Sequence, residues 1–543
     1  MSMILPPVAW TVAGSDSGGG AGLQADLRAF SAFGVHGCSA VAALTAQNSV
    51  AVERIEPVTA SMLEAQLAAL ARDLPPAAIK VGLLGSLENL RVLVRWIDRV
   101  RASAPVPLVV DPVLRASTGA RLADADLVRA NLEELLPRAT LFTPNCAEAA
   151  ALMGAPAPRE PGEVEGLAAA LARRTGAPVV VTGGDLECAA GRARAGPATA
   201  GAGGATEPAC WASDYALTPE ARGWLSLPRI GTPHHHGTGC VFAASAAAAL
   251  ALGHCVMDAV VLAKMATAQG LRDAWPAGAG AGPVRPQPGF ATRIDNLPVL
   301  CNLPAGHAAP FGQIEGGDLG LYAIVDRADL VERVLAAGVR AVQLRIKDPA
   351  APGLSEAVAR SAAAARAAGA QLYVNDHWQL AIEHRAWGVH LGQEDLELAD
   401  LEAIRRAGLR LGVSTHAYWE VCRAWALRPS YIACGPVHPT ASKAMPWIAQ
   451  GEGNLAYWSA LLPVPVVGIA GMDGPRVRRA LQCGAAGAVV MSAINAASDP
   501  ERVVATLLAD VEAGRRGPAL PGPAIAQPTL ARSVRLPLAP ARA

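Results

Sequence analysis

The chain has no excess of either charge: across 543 residues Lys and Arg number 46, and Asp and Glu also number 46. A nucleic-acid or anionic-membrane partner would draw on a basic surplus, so neither is expected, and any cations that matter act locally. The ten cysteines form no CxxC pair and no disulfide-like spacing. A chain this long needs no such staples, which fits a reducing cytosol and a cytoplasmic location. Long apolar runs are missing too. The most apolar stretch, residues 241–252, is mostly alanine and about twelve residues long, against the roughly 20 that a spanning helix needs. Residues 1–9 lack a basic flank and an apolar core, so no signal peptide is expected. A homo-oligomer is compatible with all of this.

At about 150 residues per domain, the length suggests two large domains. Pro, Gly and short polar residues collect at 277–316 between two strongly patterned regions, which reads as a linker between a domain at 5–276 and one at 317–513. The Pro/Ala/Arg-rich tail at 514–543 shows no periodicity and is expected to be disordered. The Ala/Gly-rich stretch 189–205 reads as a surface insertion.

In the first domain, apolar runs at 8–13, 37–44, 78–81, 108–110, 141–143 and 179–182 alternate with helical patterns, which predicts an α/β sandwich around a mainly parallel sheet. Ligands should then lie beyond the carboxyl ends of the strands. The run Gly14-Ser15-Asp16-Ser17-Gly18-Gly19-Gly20-Ala21-Gly22 follows the first strand. Either its backbone N–H groups serve a ligand, or it is a plain strand-to-helix turn. His236-Gly237-Thr238-Gly239-Cys240 opens an alanine-rich helix, where successive N–H groups can form an anion hole for a transferring phosphoryl group. Cys240 there is either a reactive thiolate, as a general base or a positioning group, or a small residue that packs the helix.

With Thr45-Ala46-Gln47-Asn48, Val110-Asp111-Pro112-Val113 and Thr143-Pro144-Asn145, these motifs resemble hydroxymethylpyrimidine/phosphomethylpyrimidine kinase, a ribokinase-fold enzyme. The resemblance implies ATP as co-substrate, with Asp26 and Gln47 binding the pyrimidine and Leu83 where the family often has methionine against the ring. Asn145 and Glu148 would lie near the nucleotide phosphates, Lys264 near the nucleotide, and Gly237, Gly239 and Cys240 would form the anion hole. Where many members carry a lysine before paired glycines, this chain has Thr182-Gly183-Gly184.

The second domain has eight apolar runs, at 321–325, 339–344, 371–374, 387–391, 409–413, 431–434, 464–469 and 488–490, separated by helical segments. Eight such units make a (β/α)8 TIM barrel, with chemistry where the strands end. Polar residues stand there: Arg345 and Lys347, Asn375 and Asp376, Gln393 and Asp395, Ser414 and His416, Thr440 and Lys443, Gly471, and Ser492. Alternation places Gln343, Arg345 and Lys347 on one face, suited to a pyrophosphate, unless they are surface cations at a strand exit. Asp376 and Asp395 can share one Mg²⁺; helix capping is the competing account.

Gln343–Lys347, Asn375-Asp376, His390-Leu391-Gly392-Gln393-Glu394-Asp395, Gly412–His416, Pro439–Lys443 and Val490–Ile494 resemble thiamine phosphate synthase. The resemblance implies that Gln343, Leu344, Arg345, Ile346, Lys347, Asn375, Ser414 and Lys443 bind a pyrimidine diphosphate, with Asp376 and Asp395 on Mg²⁺. Thr440, Ser442, Gly471, Met491 and Ser492 would bind a thiazole phosphate, and Arg345 and Lys443 would stabilise the departing pyrophosphate. Ala470 stands where the family usually has glycine. The two halves would be consecutive: ATP-dependent phosphorylation of 4-amino-5-hydroxymethyl-2-methylpyrimidine to its mono- and diphosphate, then coupling with thiazole phosphate to thiamine phosphate and pyrophosphate. The rival readings make the barrel a thiazole tautomerase or a non-catalytic ligand-sensing module.

Overall fold

The computed structural model describes residues 5–114, 124–184, 210–304, 306–440 and 446–530. The insertion at 189–205, Ser442 and Lys443 lie outside these. The chain divides into a unit that ends at Gly306 and a second that begins at His307.

Six strands of the first unit fall where periodicity places them: β1 (Val8–Asp16), β2 (His36–Gln47), β4 (Ala78–Val81), β5 (Leu108–Val110), β6 (Leu141–Phe142) and β7 (Val179–Val181). All pair in parallel. β4, β5 and β7 are buried at every position, as continuous apolar runs must be when helices cover both faces. Antiparallel strands extend both edges: β3 (Val52–Pro57) on one, and β8 (Trp211–Leu217), β9 (Arg222–Pro228) and β10 (Val299–Cys301) on the other. The helix Thr238–Ala251 is buried throughout from Val241 to Ala251 and packs on β1, β4 and β5. Its alanines are small enough for that central position, which delivers the Gly237 end to the sheet.

The reading of 277–316 as a linker is corrected in its first part. Val284, Phe290, Ala291, Leu297 and Val299 are at most 2% exposed, and β10 completes the sheet, so this segment is core of the first unit. Its Pro and Gly content shapes turns rather than a free connection.

The second unit is a closed barrel of eight parallel strands in sequence order, each overlapping its expected run. These are β11 (Gly320–Val325), β12 (Ala341–Leu344), β13 (Gln371–Asn375), β14 (Gly388–Leu391), β15 (Arg410–Thr415), β16 (Tyr431–Cys434), β17 (Val466–Ile469) and β18 (Gly487–Val490). Side chains of a strand alternate, so every second residue enters the interior. A lower layer holds Tyr322, Tyr373 and Tyr431, with ring centroids 5.1 to 5.8 Å apart. Gly412 makes room for it, since a Cβ there would meet Tyr431 Cζ at 2.1 Å. One step further along the strands, the same alternation points Gln343, Asn375, His390 and Ser414 inward.

The tail reading is also corrected over its described part. The helix Pro500–Arg516 continues the fold, and residues 517–530 then lie along the barrel. Asn454 clamps Gln527: its Oδ1 accepts from the Gln527 N–H at 2.7 Å and its Nδ2 donates to the Gln527 carbonyl at 3.0 Å. Tyr418 Oη accepts from Ala526 N–H, and Ile448 N–H donates to the Thr529 carbonyl. A segment without periodicity is thus ordered by partners far away in sequence. Asn454→Ala, which removes both bonds at a fully buried site, should destabilise the barrel by about 1–3 kcal/mol in chemical denaturation; a change below about 0.5 kcal/mol would show that the clamp contributes nothing.

Candidate functional sites

The carboxyl ends of the barrel strands enclose a cavity of about 240 Å³. It brings together Gln343, Arg345, Lys347, Asn375, Asp376, Asp395, Ser414, Thr440, Gly471, Met491 and Ser492 of the expected set. Leu344 is not among its walls, and neither is Ile346. Alternation turns Leu344 to the other side of β12, where it is 1% exposed, and Ile346 offers its carbonyl to His377 Nε2 at 2.7 Å. Of the run 343–347, Gln343, Arg345 and Lys347 are the members that face this cavity. A larger hollow of about 540 Å³ opens at the opposite ends of β13 to β15, beside Arg366, Arg385 and Arg410. It holds none of the expected residues, and barrel chemistry belongs to the carboxyl ends.

Asp376 and Asp395 meet at the cavity rim. Burial and the Asp376 carboxylate push the Asp395 carboxyl up, against the pull of the Gly392 N–H. Lys347 Nζ sits 3.0 Å from Asp376 Oδ2 and supplies positive charge there. Asp376 itself has φ +63°, the left-handed region that aspartate tolerates better than most residues. Two carboxylates in mutual conflict fit a hard divalent cation, whose charge would relieve it. Helix capping does not account for Asp376, since the helix Trp378–Glu383 has His377 at its cap position, whereas Asp395 Oδ2 also accepts from the Gly392 N–H at 3.1 Å.

Among the described residues, two buried polar atoms lack protein partners at this cavity, Asn375 Nδ2 and Gln393 Oε1, and both are available to a ligand. His390, Glu420 and Trp447 line the cavity without having been expected there. The signal for His390 was present in the alternation of β14. Burial pushes its imidazole down to about 4. Trp447 stacks on His416 at 5.3 Å, and His416 Nδ1 lies 2.7 Å from Glu420 Oε2.

In the first unit, the glycine run after β1 is filled from within. The Asp16 carboxylate accepts from the N–H groups of Gly18 (2.8 Å), Gly20 (3.0 Å) and Ala21 (2.8 Å) and lies 3.1 Å from His236 Nε2. Burial pushes this carboxyl up, but His236 and the Ala21 and Gly18 N–H groups hold it below its ordinary range. These N–H groups therefore bind Asp16 rather than a ligand, and the run brings two loops together. A Cβ at Gly237, where φ is +82°, would meet the Gly20 carbonyl oxygen at 2.1 Å. Gln47 Nε2 lies 3.4 Å from His236 Nε2, and Leu83 lies against Gly14, so both belong to this mouth.

Asp26 does not. Its Oδ2 lies 2.9 Å from Lys80 Nζ and accepts from Thr11 Oγ1 at 2.6 Å, and neither Lys80 nor Asp26 has exposed side-chain surface. Asp26 is the counter-ion of a buried lysine, with no side-chain surface exposed at the mouth. Burial alone would push Lys80 down, but the carboxylates of Asp26 and Asp111 around it keep it charged. Lys80, at 3.8 Å from Asp111 Oδ2, went unnoticed in the sequence because its partners are remote along the chain.

Asn145, Glu148 and Lys264 gather at the ends of β6 and β7. Asn145 and Glu148 form a reciprocal capping box on the helix Cys146–Met153, and Glu148 Oε1 also accepts from Leu114 N–H. Lys264 Nζ pairs with Asp214 Oδ2 at 2.7 Å, and Asp214 Oδ1 accepts from Gly183 N–H. As the structure stands, Lys264 holds the Thr182–Gly183 turn through Asp214, a residue of the unexpected strand β8.

The family model described as thiamine monophosphate synthase matches residues 321–494, and that described as phosphomethylpyrimidine kinase matches residues 16–285. A thiamine-phosphate synthase of Enterobacter sp. (strain 638) is 49% identical over 197 residues, which is 36% of this chain and 93% of that protein. The chain belongs to the thiamine-phosphate synthase family. Its first unit carries a kinase domain of the phosphomethylpyrimidine kinase type, and together they form a bifunctional enzyme of thiamine biosynthesis. Among solved structures, an ADP complex of Bacillus subtilis pyridoxal kinase is 28% identical over 52% of this chain and 97% of its own, with TM-score 0.44. A phosphomethylpyrimidine kinase from Clostridium difficile 630 is 28% identical over 48% and 96%, with TM-score 0.38. No helix among the described residues is long and apolar enough to cross a membrane.

The departure of this synthase barrel at Ala470 has a structural cost. Ala470 has φ +79° and Gly471 φ +67°, so the alanine occupies the left-handed region at roughly 1–2 kcal/mol. At Gly471 no substitution fits, since a Cβ would meet His438 Cβ at 2.7 Å. In the kinase domain, the surroundings of Cys240 disfavour the thiolate. The residue keeps some solvent contact, but protein closes around its sulfur, which lies within hydrogen-bonding reach of the Gly22 N–H and the Asp111 carboxylate. Burial raises the thiol, Lys80 lowers it, and Asp111 and Asp26 raise it again, to about 12. Iodoacetamide should therefore modify Cys240 far more slowly than a free thiol. Peptide mapping that finds Cys240 alkylated at the rate of an exposed cysteine would contradict a neutral thiol.

Proposed function

We propose that the kinase domain phosphorylates 4-amino-5-hydroxymethyl-2-methylpyrimidine twice with ATP, and that the barrel joins the diphosphate to thiazole phosphate, releasing thiamine phosphate and pyrophosphate. The observation that carries the barrel assignment is the cavity of a thiamine-phosphate synthase lined at once by the Asp376–Asp395 pair, the cations Arg345 and Lys347, and the inward layer Gln343, Asn375 and Ser414.

In the kinase domain, Gln47 and Leu83 hold the pyrimidine at the mouth formed by the two interlocked loops. Backbone N–H groups of Gly237, Gly239 and Cys240 face charge that builds on the moving phosphoryl group. Asn145 and Glu148 serve the nucleotide side, and Lys264 acts there through Asp214. A neutral Cys240 positions these groups and does not act as base.

In the barrel, Asn375 and Gln393 offer their unsatisfied polar atoms to the pyrimidine diphosphate, with Gln343 and Ser414 beside them. Arg345, Lys347 and Lys443 hold the diphosphate. Thr440, Ser442, Gly471, Met491 and Ser492 hold the thiazole phosphate, so the thiazole nitrogen faces the pyrimidine methylene carbon. The C–O bond to the diphosphate breaks, the C–N bond forms, and Arg345, Lys347 and Lys443 keep the leaving group charged. Asp376 and Asp395 would hold Mg²⁺, which when bound neutralises charge on that leaving group.

Asp376→Ala or Asp395→Ala should lower coupling by roughly 10²-fold or more while ATP-dependent kinase turnover is unchanged. Loss of both activities together would sink the division of labour.

A further inference from the structure

A continuous path of hydrogen bonds crosses the barrel interior. Gln343 Nε2 donates to Tyr322 Oη at 3.1 Å, Tyr322 Oη meets Tyr431 Oη at 2.7 Å, Tyr431 Oη meets His390 Nδ1 at 2.8 Å, and His390 Nε2 meets Ser414 Oγ at 2.8 Å. Four of the five residues are at most 5% exposed. Gln343, His390 and Ser414 line the cavity, while Tyr322 and Tyr431 lie below it.

The direction of this path follows from its first member. Tyr322 accepts from the Gln343 amide, and among the described residues the only other partner of its hydroxyl is Tyr431. A buried phenol proton needs an acceptor, so Tyr322 donates to Tyr431. Tyr431 then has its own proton for His390 Nδ1, which must be the bare nitrogen. The proton of His390 is consequently on Nε2 and is donated to Ser414 Oγ. With its oxygen already accepting, Ser414 turns its own O–H into the cavity as a donor. The reverse order would strand the Tyr322 proton in the barrel core, at a cost of about 1–3 kcal/mol.

We infer that His390 and Tyr431 are positioning residues for coupling: the buried relay from Gln343 fixes Ser414 as an O–H donor toward the diphosphate oxygens. An unoriented serine would divide its proton between His390 and the substrate. The inference rests on the coupling reading above for its kinetic consequence, but not for the direction of the relay.

Two measurements on the full chain test it. With ¹⁵N-labelled histidines, the His390 resonances, identified by their loss in His390→Gln, should report protonation at Nε2 and a bare Nδ1; the opposite tautomer would overturn the relay. Tyr431→Phe keeps the ring stack and removes the link. It should lower kcat/KM of coupling about tenfold with Ser414 present, and change it less than about twofold in a Ser414→Ala background. Equal losses in both backgrounds would mean a packing role and overturn the inference. Kinase turnover in the same samples reports that the chain is intact. If the wild-type chain released no pyrophosphate at all, the coupling reading would fail while the tautomer result would still stand on its own.

Discussion

A polar group shut away from water must find a partner inside the protein, and both halves of this chain depend on that constraint directly below the surface that meets substrate. In the barrel the constraint acts on the inward layer. Period-2 alternation drives Gln343, Asn375, His390 and Ser414 into the interior, and two of the three tyrosines below them, Tyr322 and Tyr431, provide the hydroxyls that bond Gln343 and His390. Packing and polarity are thereby solved together: the same rings that fill the lower barrel orient the groups that line the cavity. Asn375 Nδ2 and Gln393 Oε1 escape the solution, and they do so at the cavity, where a ligand can complete it.

The kinase domain meets the same constraint with charges. Lys80 and Asp26 are fully buried beneath the Gly237–Cys240 turn, and breaking such a pair costs roughly 3–5 kcal/mol because one charge is left alone. Asp111, pushed up to about 6 by burial against the pull of Lys80, joins them and engages the Cys240 thiol. Asp16 plays a comparable part in the glycine-rich loop, where one carboxylate gathers three backbone N–H groups and a histidine. Residues that carry family motifs thus act as scaffolding for their neighbours: Asp16, Asp26 and Lys264 hold the loops whose backbone and side chains remain for substrate.

Much of the architecture was legible because it is written in periodicity. The eight barrel strands and the six parallel strands of the first unit are apolar runs separated by helical spacing, and the described polar residues at barrel strand ends fall around one cavity for the same reason. What escaped detection was set by partners distant in sequence. Strands β8 and β9 mix Ser213, Asp214 and Ser226 with apolar residues, and they become buried strands only because Ser213 bonds Ser226 and Asp214 pairs with Lys264. Residues 517–530 have no pattern of their own and are ordered by Asn454 and Tyr418. Asp26 stands in a motif that resembles a ligand site, yet its fate is decided by Lys80, 54 residues away. Leu344 and Ile346 lie within a matching motif too, but alternation turns Leu344 outward and leaves only alternate positions facing substrate.

The barrel is a synthase that consumes the diphosphate its kinase domain makes. Purified chain supplied with the pyrimidine diphosphate, thiazole phosphate and Mg²⁺ should release pyrophosphate in equal amount to thiamine phosphate, and should stop when the metal is chelated. Absence of pyrophosphate under these conditions, with the kinase fully active, would contradict the account, because neither a tautomerase nor a sensing module makes it.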